Sequence, residues 1–234
     1  MFQRALDLLS SFAATIISGA GGRRVASLGS RPGERIVLYE FESCPFCRKV
    51  RETFSDLDLE AEIRPCPKAG TRFRPEVVRR GGKEQFPWMV DPNTGVEMYE
   101  SEEIVQYLYR QYGDASADRG LRGSALFVLL GSLASVQRFG AGTWRRPAES
   151  PDELLELWSF EASPFCRLVR ERLCELELSY ILHNVAQGSP GRDDFVKRSG
   201  KMQVPWLADP NTGAELFESA EILEYLDRTY GVRT

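Results

Sequence analysis

The chain has 234 residues, which is enough for one large domain or for two small domains that each bury their own core. Its net charge of −4, with 42% hydrophobic and 27% charged residues, argues against general binding to nucleic acid or to membrane surfaces. No uninterrupted run of about 18 apolar residues occurs, so the sequence predicts no membrane span.

The N-terminal composition and the cysteine count bear on the compartment. Residues 1–35 are rich in Arg and Ser, as organelle transit peptides are. However, a segment similar to residues 8–13 recurs inside the chain at residues 129–134, and an internal segment is not a cleavable targeting peptide. We therefore predict a structural helix that leads into each half of the chain. Five cysteines cannot all pair within one chain, which favours a soluble protein in a reducing compartment, either the cytosol or a chloroplast or mitochondrial stroma.

A buried strand and an amphipathic helix are predicted on either side of Cys44-Pro45-Phe46-Cys47. The run from Ile36 to Phe41 is nearly all apolar, which is typical of a buried strand. The motif is followed by apolar residues at helical spacing, so that one helix face comprises Phe46, Val50, Phe54 and Leu57. Cys44 is therefore expected at a strand-to-helix turn, with Pro45 at the first helical position.

This position favours redox chemistry at the cysteine motif. Free backbone N–H groups and the positive end of the helix dipole stabilise a thiolate, and nearby Arg48, Lys49 and Arg51 are expected to add positive potential. Cys44 is then the predicted nucleophile, and Cys47 is placed to resolve a mixed disulfide. Zinc ligation or an inert pair are the alternatives. The remaining cysteines do not form a second metal-binding pair, and His183 is the only histidine, so we predict no metal site.

The rest of the first half reads as further strands and helices. A second strand is expected near residues 61–66 and a short helix near residues 75–80. Two strands, residues 86–90 and 96–99, flank the turn-forming sequence of residues 91–95 and predict a hairpin. A closing helix over residues 102–112 has an inner face that comprises Ile104, Val105, Leu108 and Tyr112.

The second half repeats the first. Glu42–Arg48 matches Glu161–Arg167, Asp91–Gly95 matches Asp209–Gly213, and Tyr112-Gly113 matches Tyr230-Gly231. We predict an α/β protein of two tandem domains, each with a mixed four-stranded sheet flanked by helices. The predicted boundaries are a leading helix and connector at 1–35, the first copy at 36–113, a second leading helix and linker at 114–153, and the second copy at 154–234.

These residues resemble two tandem glutaredoxin-like modules, of the thioredoxin-fold type that forms the N-terminal domain of glutathione S-transferases. Three features carry the resemblance: the cysteine motif, the Pro-Trp pair at 87–88 and 205–206, and a Glu-Ser pair at the start of a helix. The resemblance implies that Pro87 is cis and that the backbone of Phe86 pairs with glutathione. It also implies that Glu100 and Ser101 bind the γ-glutamyl group. The alternatives are that the serines only cap helices, and that the prolines only shape the fold.

The second copy departs from the family pattern where the chemistry is expected. Ser163 replaces the nucleophilic cysteine, while Cys166 keeps the resolving position. A serine hydroxyl can stabilise a bound thiolate but cannot exchange disulfides. We expect a degenerate, regulatory or binding-only site, whose candidate residues are Ser163, Cys166, Val204, Pro205, Glu218 and Ser219.

Two functions of different kinds follow from the resemblance. The first is a glutaredoxin-like thiol–disulfide oxidoreductase that uses glutathione as co-substrate and acts on a disulfide or glutathionylated protein. Conjugation of bulky electrophiles is not expected, because the sequence shows no all-helical domain after either copy. The second is a non-catalytic module that holds glutathione, an iron–sulfur cluster bridged through Cys44 and glutathione, or a partner protein.

Overall fold

The helices and strands follow the same order in both copies. The structure is a computed structural model that describes Ser11 and residues 21–114 and 140–232. The first copy contains β1 (Ile36–Glu40), α1 (Pro45–Asp56), β2 (Ala61–Pro65), α2 (Arg74–Gly81), β3 (Trp88–Asp91), β4 (Val96–Met98) and α3 (Ser101–Tyr112). The second copy contains β5 (Leu155–Ser159), α4 (Pro164–Glu175), β6 (Tyr180–Asn184), α5 (Gly191–Ser199), β7 (Trp206–Asp209), β8 (Ala214–Leu216) and α6 (Ser219–Thr229).

The predicted elements of the first copy are confirmed, with ends that differ by one or two residues. Pro45 occupies the start of α1, and the predicted inner face of α3 is buried. The third strand begins at Trp88 rather than at Phe86, since Pro87 has no N–H to give to a ladder. The two leading helices were predicted within segments whose residues 1–10, 12–20 and 115–139 lie outside the described residues.

The predicted apolar face of α1 is wrong at its first residue. Phe46 is 46% exposed, whereas Val50, Phe54 and Leu57 are fully buried. The buried row begins instead at Cys47, which is one turn before Val50 and has no exposed surface. Phe46 lies in the first helical turn and faces solvent, two residues after Cys44.

The eight strands form one mixed sheet rather than two separate ones. The strand order is β4-β3-β1-β2-β6-β5-β7-β8. Within each copy the first two strands are parallel and the hairpin is antiparallel. The copies join where β2 pairs antiparallel with β6, through Ala61↔Leu182 and Ile63↔Tyr180. The tandem α/β arrangement is confirmed. The pairing of β2 with β6 covers one edge strand of each copy, whose backbone N–H and C=O groups would otherwise be unpaired. An approximate two-fold axis therefore passes between β2 and β6.

The two faces of the sheet are packed differently. One face carries a single hydrophobic core that runs through both copies and includes residues of α1, α3, α4 and α6. The other face carries two separate clusters, one in which Val77 of α2 packs near Trp88 and one in which Phe195 of α5 packs near Trp206. Both tryptophans are buried. On the face of the sheet that α1 covers, the two copies therefore share one hydrophobic core.

The segments that precede each copy cross to the opposite copy. The N–H of Val25 donates to the carbonyl of Gln187 (2.9 Å), and the N–H of Lys68 donates to the carbonyl of Thr143 (2.6 Å). The last part of the predicted helix and linker at 114–153 lies against the end of α6, where the N–H of Val232 donates to the carbonyl of Pro147 (3.1 Å). None of the described helices combines the length and the apolar character needed to cross a membrane.

Candidate active site

Cys44 is the N-cap residue of α1, and its sulfur faces the start of the helix. Its Sγ accepts a hydrogen bond from the N–H of Cys47 (3.3 Å), and its N–H donates to the carbonyl of Phe41 (3.0 Å) to close the turn after β1. A hydrogen bond from the Cys47 side chain lowers the pKa of Cys44, and the N–H groups of Cys47 and Phe46 add to this effect against the opposing effect of burial. The site therefore favours a thiolate at position 44.

Cys47 has the opposite character. It has no exposed surface, whereas Cys44 retains 5%. Burial raises the pKa of Cys47 well above its ordinary value, and the hydrogen bond that it donates to Cys44 raises it further. The motif thus contains one thiol whose ionisation is favoured and one fully buried thiol whose ionisation is opposed. That asymmetry suits a nucleophile followed by a resolving thiol, and these roles remain predictions.

The three cations of α1 that are expected to add positive potential near Cys44 are each paired with carboxylates. Arg48 donates to Glu52 (3.0 Å), Lys49 is paired with Glu102, and Arg51 is paired with buried carboxylates. All three cations are buried, although helical periodicity places them on the polar side of α1. Because their charges are matched by carboxylates, the thiolate of Cys44 depends on the hydrogen bonds described above.

The cis-proline loop lies beside Cys44. The peptide bond between Phe86 and Pro87 is cis, as the resemblance implies. Tyr39 pairs with Trp88 across the antiparallel strands β1 and β3, so the residues before Trp88 reach the same edge as those that follow β1. The rings of Phe41 and Phe86 make an edge contact with centroids 6.1 Å apart. The backbone of Phe86 therefore borders the turn that carries Cys44.

Glu100 and Ser101, at the start of α3, are the third element of the candidate site. Ser101 is the first residue of α3 and is buried, and Glu100 is the N-cap residue without a side-chain cap. The alternative that Ser101 serves as the N-cap is therefore wrong. Gln85 donates to Glu100 (2.6 Å), which brings Glu100 to the cis-proline loop. Glu100 also has φ 63°, a left-handed conformation that is costly for a residue with a side chain and that concentrates at functional sites.

The second copy has the same backbone plan with different side chains. Ser163 caps α4 and accepts from the N–H of Cys166 (3.2 Å), and the bond between Val204 and Pro205 is again cis. Glu218 accepts from Gln203 (2.6 Å), but its φ is −74°, an ordinary extended conformation. Ser219 is the first residue of α6. The strain that marks Glu100 is therefore specific to the first copy.

A cluster of buried charges lies between the two copies, and sequence reasoning missed it. Arg51 of α1 donates to Glu161 (3.1 Å) and to the carbonyl of Glu42 (3.2 Å), and it is paired with Glu40. Arg170 of α4 is paired with Glu42 (3.1 Å) and Glu161 (3.0 Å). We call these five residues the seam cluster. Glu42 and Glu161 occupy matching positions of the repeat, and so do Arg51 and Arg170. The recurrence of this pair of opposite charges in both copies was the available signal.

The carboxylates of the seam cluster differ in their ionisation. Burial opposes ionisation of Glu161, but Arg170 and Arg51 overcome it and lower its pKa to about 2. Burial raises the pKa of Glu40 to about 7, because Arg51 only partly compensates and the negative charges of Glu42 and Glu161 oppose ionisation. The second copy has Ser159 at the position of Glu40. Glu40 is therefore the one carboxylate that breaks the symmetry of the cluster.

Glu40→Gln is expected to change how stability depends on pH. The folded-state pKa of about 7 lies above the ordinary value of 4.5, so the contribution of Glu40 is fully present below pH 4.5 and is lost as pH rises through 7. The wild type should lose about 2–3 kcal/mol relative to Glu40→Gln between pH 5 and 8. Urea unfolding of both proteins at several pH values measures this difference, with Glu97→Gln, at an exposed residue of β4, as control. Parallel curves for the wild type and Glu40→Gln would contradict the assignment.

The other cysteines are buried and unpaired. All five cysteines are free thiols. Burial raises the pKa of Cys66, Cys166 and Cys174, so none of the three is suited to attack at neutral pH. Within residues 21–114 and 140–232, no group of three or more His, Cys, Asp or Glu side chains is arranged to hold a metal ion.

Comparisons with known proteins place these features in a family. A Bombyx mori glutathione transferase is 29% identical over 36% of this chain, with a TM-score of 0.33, and the chain spans 39% of that protein. A trimeric Leishmania glutathione transferase is 13% identical over 86% of this chain and 68% of its own, with a TM-score of 0.28. A comparison with curated proteins found no match. The family model of the glutathione S-transferase N-terminal domain matches residues 38–116 and again residues 157–234, so the chain belongs to this family and carries two copies of its domain.

Proposed function

We propose that the protein is a glutathione-linked thiol–disulfide oxidoreductase with its active site in the first copy. The observation that carries the proposal is the pairing of a thiolate-favouring Cys44 with a buried, protonated Cys47 at the start of α1. A transferase that only binds glutathione needs one stabilising hydroxyl or thiol, whereas two thiols in this order serve disulfide exchange. The family match supports a glutathione-related function.

The proposed reaction begins with the Cys44 thiolate. It attacks the glutathione sulfur of a glutathionylated protein, so that a Cys44–glutathione disulfide forms and the protein thiolate leaves and takes up a proton. A second glutathione thiolate then attacks the glutathione sulfur of this adduct, which gives oxidised glutathione and returns Cys44 to the thiolate. Alternatively, Cys47 loses its proton and attacks the sulfur of Cys44, which releases glutathione and leaves an internal disulfide.

The proposed glutathione site lies around Cys44. The backbone of Phe86, turned by the cis bond to Pro87, would pair with the cysteinyl part of glutathione in the manner of a short strand. Ser101 at the N-terminus of α3 would bind the γ-glutamyl carboxylate, and Glu100 would bind its ammonium group. The left-handed conformation of Glu100 supports this role, because such strain persists where a ligand site is preorganised.

We assign the second copy a binding or scaffold role. Ser163 provides a hydroxyl that can stabilise a thiolate, but it cannot form a disulfide. Its site also lacks the counterpart of the Lys49–Glu102 pair, since Leu168 and Ala220 occupy the matching positions. The proposed boundaries of the copies are 36–113 and 154–234. The five free thiols support a reducing compartment for this chemistry.

Intact-mass measurement after brief exposure to oxidised glutathione tests the function. The wild type is expected to form an internal disulfide, Cys47→Ser is expected to accumulate one glutathione adduct, and Cys44→Ser is expected to form neither. Circular dichroism of each variant controls for folding. An adduct that persists in Cys44→Ser would move the chemistry to another thiol. Absence of any reaction at pH 7, with glutathione or iron bound after purification, would favour the non-catalytic module instead.

A further inference from the structure

The turn that carries Cys44 is held by residues of the second copy and of the segment before it. The carboxylate of Glu42, two residues before Cys44, is bound by Arg170 of α4 through contacts of 3.1–3.3 Å. The N–H of Glu42 donates to the sulfur of Cys174 (3.4 Å). Ser43 accepts from the hydroxyl of Thr143 (2.6 Å). Both residues that precede Cys44 thus depend on partners at least 100 positions away in the chain.

Glu42 and the Cys44 sulfur are connected through a single turn of the backbone. The turn closes through the hydrogen bond from the Cys44 N–H to the Phe41 carbonyl (3.0 Å), and Glu42 lies inside that turn. The Cys44 sulfur must in turn face the N–H of Cys47, at 3.3 Å, to gain its stabilisation as a thiolate. A shift of Glu42 would therefore move the sulfur away from the donors that favour its ionised form.

We propose that Arg170 is a positioning residue for Cys44, and that the second copy serves the first by holding the Cys44 turn through Glu42. This inference rests on the proposed function for its biological meaning, but it concerns the ionisation of Cys44 and is tested without glutathione. It also accounts for the second copy, which lacks a nucleophile yet keeps the arginine that reaches across the seam. The reverse contact, from Arg51 to Glu161, ties the Ser163 turn to the first copy in the same way.

A simple charge effect predicts a different outcome from positioning. The charged groups that face Glu42 are Glu40 at the end of β1, Arg51 of α1, Arg167 and Arg170 of α4, and Glu161 after β5. If the cluster acted on Cys44 only through its field, removal of the negative charge of Glu42 would favour the thiolate and speed its reactions. If Glu42 holds the turn, its removal would move the Cys44 sulfur away from the N–H groups that stabilise the thiolate. The reactions of Cys44 would then become slower. Glu42→Ala therefore separates the two effects by sign.

The test is the rate at which iodoacetamide alkylates Cys44 between pH 5 and 9, followed by mass spectrometry of the Cys44 peptide. Arg170→Met is expected to slow alkylation at pH 7 about 10-fold and to shift the profile to higher pH. Glu42→Ala is expected to slow it as well, and Arg170→Lys, which keeps the charge, should recover part of the rate. The matched control is Arg72→Met, because Arg72 also crosses the seam, to the carbonyls of Ala148 and Glu177, without touching the Cys44 turn.

Each result bears on the proposal. A Glu42→Ala rate equal to or faster than the wild-type rate would overturn it, as would equal effects of Arg170→Met and Arg72→Met. Should Arg170→Met fail to fold, Glu42→Ala and Arg170→Lys decide the question, with folding checked by circular dichroism. Because the probe is a small alkylating agent, slowed alkylation supports the positioning role even if no glutathione adduct forms in the functional test.

Discussion

Cys44 is expected to react with iodoacetamide at pH 7 about 100-fold faster than any other cysteine of the protein. Hydrogen bonds at the start of α1 lower the pKa of Cys44, whereas burial raises the pKa of the other four thiols. Timed quenching and peptide mass spectrometry would measure each rate. Cys44→Ser should remove the fast reaction and leave the slow reactions of Cys66, Cys166 and Cys174 unchanged. If another cysteine were the fastest, the ionisation pattern derived from the structure would be wrong.

Ser163→Cys is the matched gain-of-reactivity variant. Ser163 caps α4 as Cys44 caps α1, and it accepts the corresponding N–H hydrogen bond from Cys166. The thiol introduced at position 163 should therefore become a second fast-reacting site, within about 10-fold of Cys44. A slow thiol at this position would show that the helix start alone does not activate a cysteine, and that other features of the first copy contribute.

Arg51→Met is expected to cause the largest loss of stability, about 3–5 kcal/mol in urea unfolding at pH 7. Arg51 is 1% exposed and contacts Glu40, Glu42 and Glu161, so its removal leaves three buried carboxylates without the arginine that they share. The transition should shift to lower urea concentration. Part of the loss should be recovered at pH 5, where Glu40 is protonated in the folded protein.

The control for Arg51→Met is Arg80→Met. Arg80 is also paired with two carboxylates, those of Glu76 and Glu97, but its side chain is 36% exposed. Water screens such pairs, so its loss should cost roughly 1 kcal/mol or less. Similar losses for the two variants would show that burial of the seam cluster does not govern its contribution.

Features of the structure that depend on nearby residues could be predicted from the sequence. The strand-to-helix turn at Cys44, the position of Pro45 and the inner face of α3 follow from residue spacing and from proline geometry, so the sequence was sufficient for them. The cis bond before Pro87 was available from the family resemblance and is present in the structure. The repeat likewise gave the tandem arrangement, because each copy carries its own turn and helix signals.

The exposure of Phe46 shows the limit of periodicity. Phe46 and Cys47 are neighbours at the start of α1, and the apolar spacing fits a row that begins at either one. Only the position of the helix over the sheet decides which of them is covered. The same limit applies to Ser101, since a residue at a helix N-terminus can be the cap or the first helical residue, according to the path of the chain before it.

By itself, the sequence determined two copies of an α/β domain and a cysteine placed to ionise at a helix start, because these depend on neighbours within a few residues. Only the tertiary structure decided that β2 pairs with β6 and that Arg51 and Arg170 lie inside the protein. An arginine on the polar side of a helix is normally solvated, and its burial becomes favourable only when carboxylates from another part of the chain are brought to it. Glu42 and Glu161, one from each copy, both pair with Arg51 and Arg170, and these contacts exist only once the two copies have joined into one sheet.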